Sequence, residues 1–490
     1  MSLINVTNLT FSYNGSYENV FEDISFQINT DWKLGFIGRN GRGKTTFLKL
    51  LAGDYKYEGV ISANVKFEYF PYHVEDETLT TLEIVESIYP SYTLWILEKE
   101  LKYLETSHDI LYIPFNTLSK GERTKVLLAV LFMKENSFLL IDEPTNHLDE
   151  RGRQLISDYL KGKKSFILVS HDRNFMDNCV DHVLSINPMN IEIQKGNFSS
   201  WWENKEKQDN FEMAQNNKLR KDIKRLEAAA KQSGNWADKV EGTKIGKGNK
   251  EEERSYVGEK SRRMQSRRKN LEKRQDTALE EKEGLLKNIE TIENLKLCQS
   301  TYKGSKLLEL NKASLYYDKT EVCKDISFLV EKGDRILLRG KNGSGKSSVL
   351  SLIQGSDLKY TGLFNKSERL KISFVSQDSS FLEGSLKDFA VKEGIDESLF
   401  KAILRKLDFE RSQFDKDMKY FSQGQKKKVL IAKSLCEEAH LYIWDEPLNY
   451  IDVFSRMQIE NLILKYNPTM IFVEHDKKFS NTIETKVISL

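Results

Sequence analysis

The sequence has no long apolar segment, and this absence limits where the protein can act. Its 490 residues contain no run of 18 or more apolar residues and no signal-like start. A helix that crosses a bilayer needs about 20 mainly apolar residues, and a secretory leader needs an apolar stretch behind a charged start. We therefore expect neither a membrane span nor export, which indicates a cytoplasmic protein.

Cysteine is scarce as well. Cys179, Cys298, Cys323 and Cys436 lie far apart, with no C-x-x-C pair and no zinc-ligand spacing. Disulfide frameworks are typical of small secreted domains, and zinc sites need closely spaced ligands. The four cysteines are therefore predicted to be free thiols. A chain of this length has room for two or three domains with full cores.

Proline is missing from Met189 to Glu446, so no proline interrupts a helix there. Within this stretch, a connector at about 201–300 has apolar residues at helical spacing on either side of a glycine-rich segment. They are Leu219, Ile223, Leu226, Ala230 and Ala237, then Met264, Leu271, Ala278, Leu285 and Ile292, and the glycines are Gly234, Gly242, Gly246, Gly248 and Gly258. The pattern predicts an antiparallel helical hairpin with its tip at about 234–258 and with arms that extend ~50 Å.

The connector is basic although the chain is nearly neutral. From Lys218 to Arg274 there are 19 lysines and arginines against 9 aspartates and glutamates, a net charge of +10; the whole chain carries +2, so the remainder carries −8. A basic segment on an acidic body favours contact with a polyanion, and clustered arginines suit phosphate. The candidates for RNA contact are Lys244, Lys247, Arg262, Arg263, Arg267 and Arg268. The alternative is a solvated spacer with no specific target.

What the sequence does have is one set of phosphate-handling motifs in two copies. The phosphate-loop pattern G-x-x-x-x-G-K-[ST] occurs at Gly38–Thr45 and, 302 residues later, at Gly340–Ser347. A Ser-x-Gly signature, an Asp-Glu-Pro triplet and a lone histidine follow in each half, at offsets of 303, 303 and 304 residues. This shared order indicates an internal duplication of one nucleotide-binding unit.

The loops predict phosphate binding. Their glycines allow backbone N–H groups to face phosphate oxygens, and the lysine reaches the terminal phosphates. The predicted residues are Gly38, Arg39, Asn40, Gly41, Arg42, Gly43, Lys44, Thr45 and Thr46, and Gly340, Lys341, Asn342, Gly343, Ser344, Gly345, Lys346, Ser347 and Ser348. Tyr13 and Tyr317 are either ordinary strand aromatics or rings that stack on adenine, and we favour stacking.

The metal and the attacking water are assigned to the end of a buried strand in each half. The apolar runs 138–141 and 441–444 predict strands of a parallel sheet that carry Asp142 and Asp445 at their carboxyl ends. With the hydroxyls of Thr45 and Ser347, these carboxylates are predicted magnesium ligands. The predicted catalytic residues are Glu143 and Glu446, which position water, and His171 and His475, which approach the same phosphate. Taken singly, such a triplet is usually a solvated turn and such a histidine a core group.

This order of motifs resembles that of the ATP-binding cassette ATPases, and two cassettes on one soluble chain resemble the ABC-F group. The resemblance covers essentially all 490 residues and includes the D-loops at His147–Asp149 and Tyr450–Asp452. It implies an α/β fold of two tandem ABC-type P-loop ATPase domains, at 1–200 and 301–490, joined by the hairpin at 201–300. It also implies ATP hydrolysis, with ATP and Mg²⁺ as cofactors.

The same resemblance implies that the cassettes pair head to tail within a monomer. Each signature would then complete the nucleotide site of the other cassette: Ser422, Gln423, Gly424 and Gln425 that of Lys44, and Ser119, Lys120, Gly121 and Glu122 that of Lys346. Gln377 would sense metal and water in the second site. Tyr72 stands at the corresponding position of the first, so the two sites are expected to hydrolyse ATP at unequal rates.

Within the ABC-F group, the chain is most similar to the Lsa type of antibiotic-resistance proteins. It has a long linker, no large arm in the first cassette and no tail beyond the 15 residues after His475. The resemblance implies a factor that enters the tRNA exit site of the bacterial ribosome and contacts large-subunit rRNA. It would displace P-site tRNA and dislodge lincosamides, pleuromutilins and streptogramin A. No DNA or membrane partner is expected. The alternatives are a housekeeping ABC-F translation factor and, third, the ATPase subunit of a transporter.

Overall fold

The computed structural model describes residues 2–15, 19–134, 136–146, 148–187, 190–242, 251–285, 295–317 and 320–490. The chain divides into two compact units. The first comprises Met1–Ile186, Ile191–Ser199 and Ile292–Leu490, and the second comprises Asn187–Asn190 and Ser200–Thr291. The first unit therefore contains both sets of phosphate motifs.

The first half of the first unit alternates strands and helices. Its strands are β1 (Leu3–Phe11), β2 (Phe21–Asn29), β3 (Lys33–Ile37), β4 (Glu58–Ser62), β5 (Lys66–Phe70), β6 (Ser137–Asp142), β7 (Phe166–Val169), β8 (His182–Ile186) and β9 (Ile191–Lys195). Its helices are α1 (Lys44–Ala52), α2 (Thr81–Ile88), α3 (Leu94–Tyr103), α4 (Lys120–Met133), α5 (Glu150–Lys161) and α6 (Arg173–Cys179).

The central sheet of this half has the order β5-β6-β7-β3-β8-β9, and only the β8–β9 pair is antiparallel. The run Phe138–Ile141 of β6 is buried throughout, as expected for a parallel strand covered on both faces. In the ladder Asp142 lies beside Val169, so the acidic residue stands at the carboxyl end of the sheet. A separate antiparallel sheet has the order β2-β1-β4.

The second half repeats this plan. Its strands are β10 (Lys306–Tyr317), β11 (Thr320–Glu331), β12 (Arg335–Arg339), β13 (Lys359–Lys366), β14 (Ile372–Val375), β15 (Leu441–Asp445), β16 (Met470–Val473) and β17 (Lys486–Ser489). Its helices are α9 (Lys346–Gln354), α10 (Leu386–Glu393), α11 (Glu397–Lys406), α12 (Gln423–Cys436), α13 (Val453–Tyr466) and α14 (Lys477–Ile483). The parallel sheet has the order β14-β15-β16-β12-β17, and the antiparallel sheet the order β11-β10-β13.

Two long helices occupy the connector: α7 (Phe198–Gly242), of 45 residues, and α8 (Glu251–Leu285), of 35 residues. Both extend into the stretch 234–258 that the sequence assigns to the tip. A glycine inside a helix costs only about 1 kcal/mol relative to alanine, so Gly234 and Gly258 do not end these helices. Their antiparallel pairing stays a prediction. Among the helices of the described residues, none is both long and apolar enough to cross a bilayer.

Candidate nucleotide sites

Both phosphate loops turn through glycines in the left-handed backbone region. Gly43 and Gly345, with φ of 85° and 86°, precede α1 and α9. A Cβ atom on Gly43 would lie 2.6 Å from Cγ1 of Val20, and one on Gly345 would collide with Sγ of Cys323. Only glycine satisfies both the backbone and the space. The first N–H groups of each helix are thereby offered to an anion.

The lysine of each loop is held over its own backbone. Nζ of Lys44 donates to the carbonyl oxygens of Gly38 at 2.7 Å and Arg39 at 2.9 Å. Nζ of Lys346 makes the same two bonds to its own loop, at 2.9 and 2.8 Å. Burial lowers the pKa of both ammonium groups. These buried cations lie where terminal phosphates would neutralise them.

The predicted metal ligands lie together in each half. Oγ1 of Thr45 donates to Oδ2 of Asp142 at 2.7 Å, and Ser347 hydrogen-bonds Asp445. Oδ1 of Asp445 is buried and has no hydrogen-bond partner among the described residues. A hydroxyl beside a carboxylate that has an unpaired buried oxygen is a ligand set that suits Mg²⁺. This ion takes its remaining ligands from phosphate and water oxygens. The residues therefore fit magnesium, which would draw the phosphates and these oxygens together.

The two predicted general bases have unusual backbone geometry. Glu143 and Glu446 have positive φ, 49° and 47°. Their N–H groups donate to the last residue of the neighbouring strand, Val169 at 2.9 Å and Val473 at 3.0 Å. A non-glycine residue in this conformation costs of order 1–3 kcal/mol and is frequent at functional sites. The conformation turns each carboxylate out of the sheet edge.

Each histidine faces the glutamate of its own half. Nε2 of His171 lies 3.4 Å from Oε1 of Glu143, and Nε2 of His475 lies 3.5 Å from Oε1 of Glu446. Burial lowers the pKa of His171 well below its ordinary value, and Lys44 adds to this effect. Each histidine therefore lies beside the predicted base of its own half, although neither distance is a short hydrogen bond. Its approach to the phosphate stays a prediction.

The electrostatic environments of the two glutamates differ. Burial and then the charge of Asp142 raise the pKa of Glu143 to about 8. Burial also disfavours the charged form of Glu446, but His475 and the amide of Gln377 outweigh it and lower its pKa to about 2. At neutral pH, Glu143 is mostly protonated and Glu446 is ionised.

The two glutamates also differ in their hydrogen-bond donors. Oε2 of Glu446 accepts from Nε2 of Gln377 at 2.9 Å and from Nδ2 of Asn449 at 2.7 Å. Oε1 of Glu143 is buried and has no hydrogen-bond partner among the described residues. The hydroxyl of Tyr72 lies 3.4 Å from Oε2 of Glu68 instead. The first site therefore receives no donor from the position that Gln377 occupies in the second.

Both signatures form the start of a helix through a capping box. Oγ of Ser119 accepts from the N–H of Glu122 at 3.3 Å, while the Glu122 carboxylate accepts from the N–H of Ser119 at 2.9 Å. Ser422 and Gln425 repeat the arrangement at the start of α12, at 3.3 and 2.9 Å. The side chains of Glu122 and Gln425, predicted to bind ATP, thus serve here to fix the signature serine.

The signature of the second cassette lies against the phosphate loop of the first. Nδ2 of Asn40 donates to the carbonyl of Tyr450 at 2.7 Å. A Cβ atom on Gly424 would lie 2.6 Å from that same carbonyl and 2.9 Å from Nδ2 of Asn40. Nearby, Lys428 and Asp452 form a buried ion pair at 3.1 Å. The Lys44 site therefore includes direct contacts between the cassettes.

The Lys346 site also faces the opposite cassette. A cavity of about 970 Å³ separates its phosphate loop from the first cassette. Its walls include Ser119, Lys120, Gly121 and Glu122 on one side, and Lys341, Asn342, Gly343, Gly345, Lys346, Ser347, Ser348, Gln377, Glu446 and His475 on the other. The cavity brings together the residues that the head-to-tail arrangement pairs.

The predicted adenine-binding tyrosines are exposed. Tyr13 is 43% exposed, and its hydroxyl hydrogen-bonds Oγ1 of Thr46 at 2.6 Å. Its ring meets those of Phe11 and Tyr55 edge-on. Tyr317 is 50% exposed and is not part of the cavity wall. Their stacking on adenine stays a prediction.

The candidates for RNA contact lie on α8. Arg262, Arg263, Arg267 and Arg268 are all exposed. Arg263 pairs with Glu259 at 2.6 Å and Arg268 with Glu272 at 2.9 Å, each one helical turn away. Surface pairs of this kind are weak and leave the guanidinium groups accessible. Lys244 and Lys247 lie outside the described residues, as does His147 of the first D-loop.

Two polar residues of the sites are not predicted by the sequence motifs. Asn449 donates to Glu446, and the hydroxyl of Tyr69 donates to Oδ2 of Asp142 at 3.1 Å. Asn449 stands three residues after its partner and is visible in the run Asp445–Asp452. Tyr69 lies 73 residues before Asp142 on a neighbouring strand, so only the sheet register joins them.

Comparison with known proteins agrees with this arrangement. The ABC transporter family matches residues 21–146 and 323–449, together more than half of the chain. The chain is 27% identical to Ribosome protection protein VmlR of Bacillus subtilis (strain 168), covering 99% of this chain and 86% of that protein. It is 29% identical to ATP-binding protein Uup of Buchnera aphidicola subsp. Acyrthosiphon pisum (strain APS), covering 98% of this chain and 79% of that one.

The fold is also found among solved structures. The crystal structure of the complex of archaeal ribosomal stalk protein aP1 and archaeal ribosome recycling factor aABCE1 contains a chain that matches with a TM-score of 0.65 at 17% identity. The match covers 98% of this chain and 87% of that chain. The predicted α/β fold of two ATPase domains is confirmed, and so is the predicted ATPase activity. The chain belongs to the ABC transporter family and carries two of its ATPase domains in tandem.

Proposed function

We propose that this protein is an ABC-F ATPase that protects the bacterial ribosome from antibiotics. The observation that carries the proposal is the similarity to a ribosome protection protein along 99% of this chain, which includes the connector as well as the cassettes. A resemblance confined to the ATPase domains would support only an ATPase activity, because one fold can have many functions.

The connector supplies the chemistry for a ribosomal target. It concentrates a net charge of +10 between Lys218 and Arg274, and the arginines of α8 are exposed. Ribosomal RNA is a polyanion, and arginine side chains that neutralise its phosphates release counterions, which favours binding at low salt. We infer that large-subunit rRNA and P-site tRNA are the partners of these helices.

The mechanism we propose assigns ATP binding and hydrolysis to the cassettes and contact with tRNA to the connector. With ATP bound, a single chain closes its cassettes on one another and enters the tRNA exit site. The connector, paired as a hairpin, displaces P-site tRNA and reaches toward the peptidyl-transferase centre, because a helix of 35 residues spans ~50 Å. Lincosamides, pleuromutilins and streptogramin A leave, and hydrolysis releases the factor. The protein acts in the cytoplasm, as the Lsa group does.

The first test is drug susceptibility on expression in a susceptible bacterium. We expect resistance to the three drug classes, little change for macrolides, and unchanged drug accumulation. Reduced accumulation would indicate transport instead. Co-sedimentation with ribosomes in ATP but unaltered susceptibility would indicate a housekeeping translation factor.

The connector is tested by two variants. Deletion of residues 242–256 should leave ATP hydrolysis intact and abolish resistance. Alanine at Arg262, Arg263, Arg267 and Arg268 should weaken ribosome binding and flatten its dependence on salt. A matched control replaces Lys218, Lys221 and Lys224 of α7 by alanine. Equal losses in both sets would show a nonspecific charge effect, and a deletion variant that still confers resistance would contradict the role of the tip.

A further inference from the structure

Two hydroxyl groups converge on the predicted metal carboxylate of the Lys44 site. Oγ1 of Thr45 and the hydroxyl of Tyr69 both donate to Oδ2 of Asp142, at 2.7 and 3.1 Å. Thr45 belongs to the phosphate loop, and Tyr69 belongs to the adjacent strand β5. With two donors on one oxygen, the carboxylate has a fixed orientation and directs its other oxygen away from them.

The second cassette lacks this hydroxyl. Phe70 pairs with Ile141 in the first sheet, and Val375 pairs with Trp444 in the second. One residue earlier on each strand, Tyr69 therefore corresponds to Phe374. The phenyl ring of Phe374 has no donor, and Oδ1 of Asp445 is buried without a hydrogen-bond partner among the described residues.

Three residues further along each chain segment, it is the second site that has a hydrogen-bond donor and the first that lacks one. Gln377 donates to Glu446 at 2.9 Å in the second site. Tyr72, its counterpart, lies with its hydroxyl 3.4 Å from Glu68 and with its ring 4.8 Å from Nζ of Lys134. Each site thus has one side-chain donor from the strand or loop beside its acidic pair. In the Lys44 site Tyr69 donates to Asp142, and in the Lys346 site Gln377 donates to Glu446.

We propose that Tyr69 is a positioning residue for magnesium in the Lys44 site. Its hydroxyl holds the orientation of Asp142, as outer-shell hydrogen bonds commonly hold metal-binding carboxylates. A tyrosine hydroxyl has an ordinary pKa of about 10, so it remains a donor at neutral pH. The inference goes beyond the ribosomal role and rests on Asp142 as the metal carboxylate.

The test measures metal affinity rather than turnover. In full-length protein carrying Lys346→Ala, which removes nucleotide from the second site, Mn²⁺ affinity is measured by electron paramagnetic resonance in the presence of a non-hydrolysable ATP analogue. Tyr69→Phe should weaken Mn²⁺ binding about tenfold. Tyr72→Phe is the matched control and should leave it unchanged. Nucleotide affinity in EDTA should be the same in all three proteins.

Two results would overturn the proposal. One is a Tyr69→Phe protein with unchanged Mn²⁺ affinity. The other is an equal loss of nucleotide affinity in EDTA, which would assign Tyr69 a purely structural role. Neither readout involves ribosomes, so failure of the ribosomal proposal leaves this result unaffected.

Discussion

The two nucleotide sites carry almost the same motifs, and in each of them described residues of the two cassettes face one another. At the Lys44 site, Asn40 bonds the carbonyl of Tyr450 across the cassettes at 2.7 Å. At the Lys346 site, the corresponding surfaces face one another across a cavity of about 970 Å³. Each site therefore depends on residues from the opposite cassette.

The two sites differ in the protonation of the glutamate in each acidic pair. Glu143 has a pKa of about 8 because it is buried beside Asp142. Glu446 has a pKa of about 2 because His475 and Gln377 outweigh its burial. A general base must be ionised to accept a proton from water. We therefore expect the Lys346 site to be the faster one at neutral pH.

The largest effect should come from removing both bases. In the double variant Glu143→Gln, Glu446→Gln, ATP should still bind while phosphate release falls by about 100-fold or more. We expect the variant to accumulate on ribosomes, measured by co-sedimentation in ATP, and to confer no resistance. Turnover at the wild-type rate would show that neither glutamate acts on the attacking water.

Removal of a donor that orients Glu446 should have the next largest effect. Gln377→Ala leaves this buried carboxylate with one donor fewer, and a hydrogen bond to a charged group contributes about 1.5–3 kcal/mol. We expect ATP turnover to fall about tenfold. Tyr72→Ala, the matched change in the other cassette, should leave turnover unchanged because its hydroxyl faces Glu68. Equal losses in the two variants would remove the distinction between the sites.

The pH profile of the single variants sharpens the comparison. In Glu446→Gln, turnover depends on Glu143, whose raised pKa of about 8 makes its ionised fraction grow as pH rises. Phosphate release should therefore increase about fivefold between about pH 7 and about pH 8. In Glu143→Gln, turnover depends on Glu446, already ionised, and should be flat over the same range. Identical profiles would show that nucleotide binding equalises the two carboxyls.

The smallest effect should come from the contact between the cassettes. Asn40→Ala removes one hydrogen bond to the Tyr450 carbonyl, and an ordinary hydrogen bond contributes about 0.5–1.5 kcal/mol. Nucleotide affinity at the Lys44 site, measured by titration of a fluorescent ATP analogue in a Lys346→Ala background, should fall about threefold. Asn342→Ala is the matched change on the cavity side, and we expect it to leave that affinity unchanged.

Much of the site was visible in the sequence because its motifs are local. A glycine that must adopt positive φ before a helix, a serine with a glutamate three residues later, and an acidic pair after an apolar strand each depend on neighbours within one turn or strand. Gly43, Ser119 and Asp142 were accordingly predicted at these places. The side chains of Glu122 and Gln425 proved to be engaged in the helix cap.

Other features depended on residues distant in the chain. The pKa of Glu143 and that of Glu446 depend on burial and on neighbours such as His475 and Gln377, which the tertiary fold brings together. The hydrogen bond of Tyr69 to Asp142 depends on the pairing of β5 with β6. The direction of the Tyr72 side chain depends on its contacts with Glu68 and Lys134.

The duplication, the order of the phosphate motifs and the family follow from the sequence alone, because each rests on short segments with fixed backbone requirements. Which glutamate is ionised and which hydroxyl holds Asp142 depend instead on the tertiary structure. Burial and electrostatic interaction depend on distances in space, and these distances are set when the sheets and the two cassettes pack together.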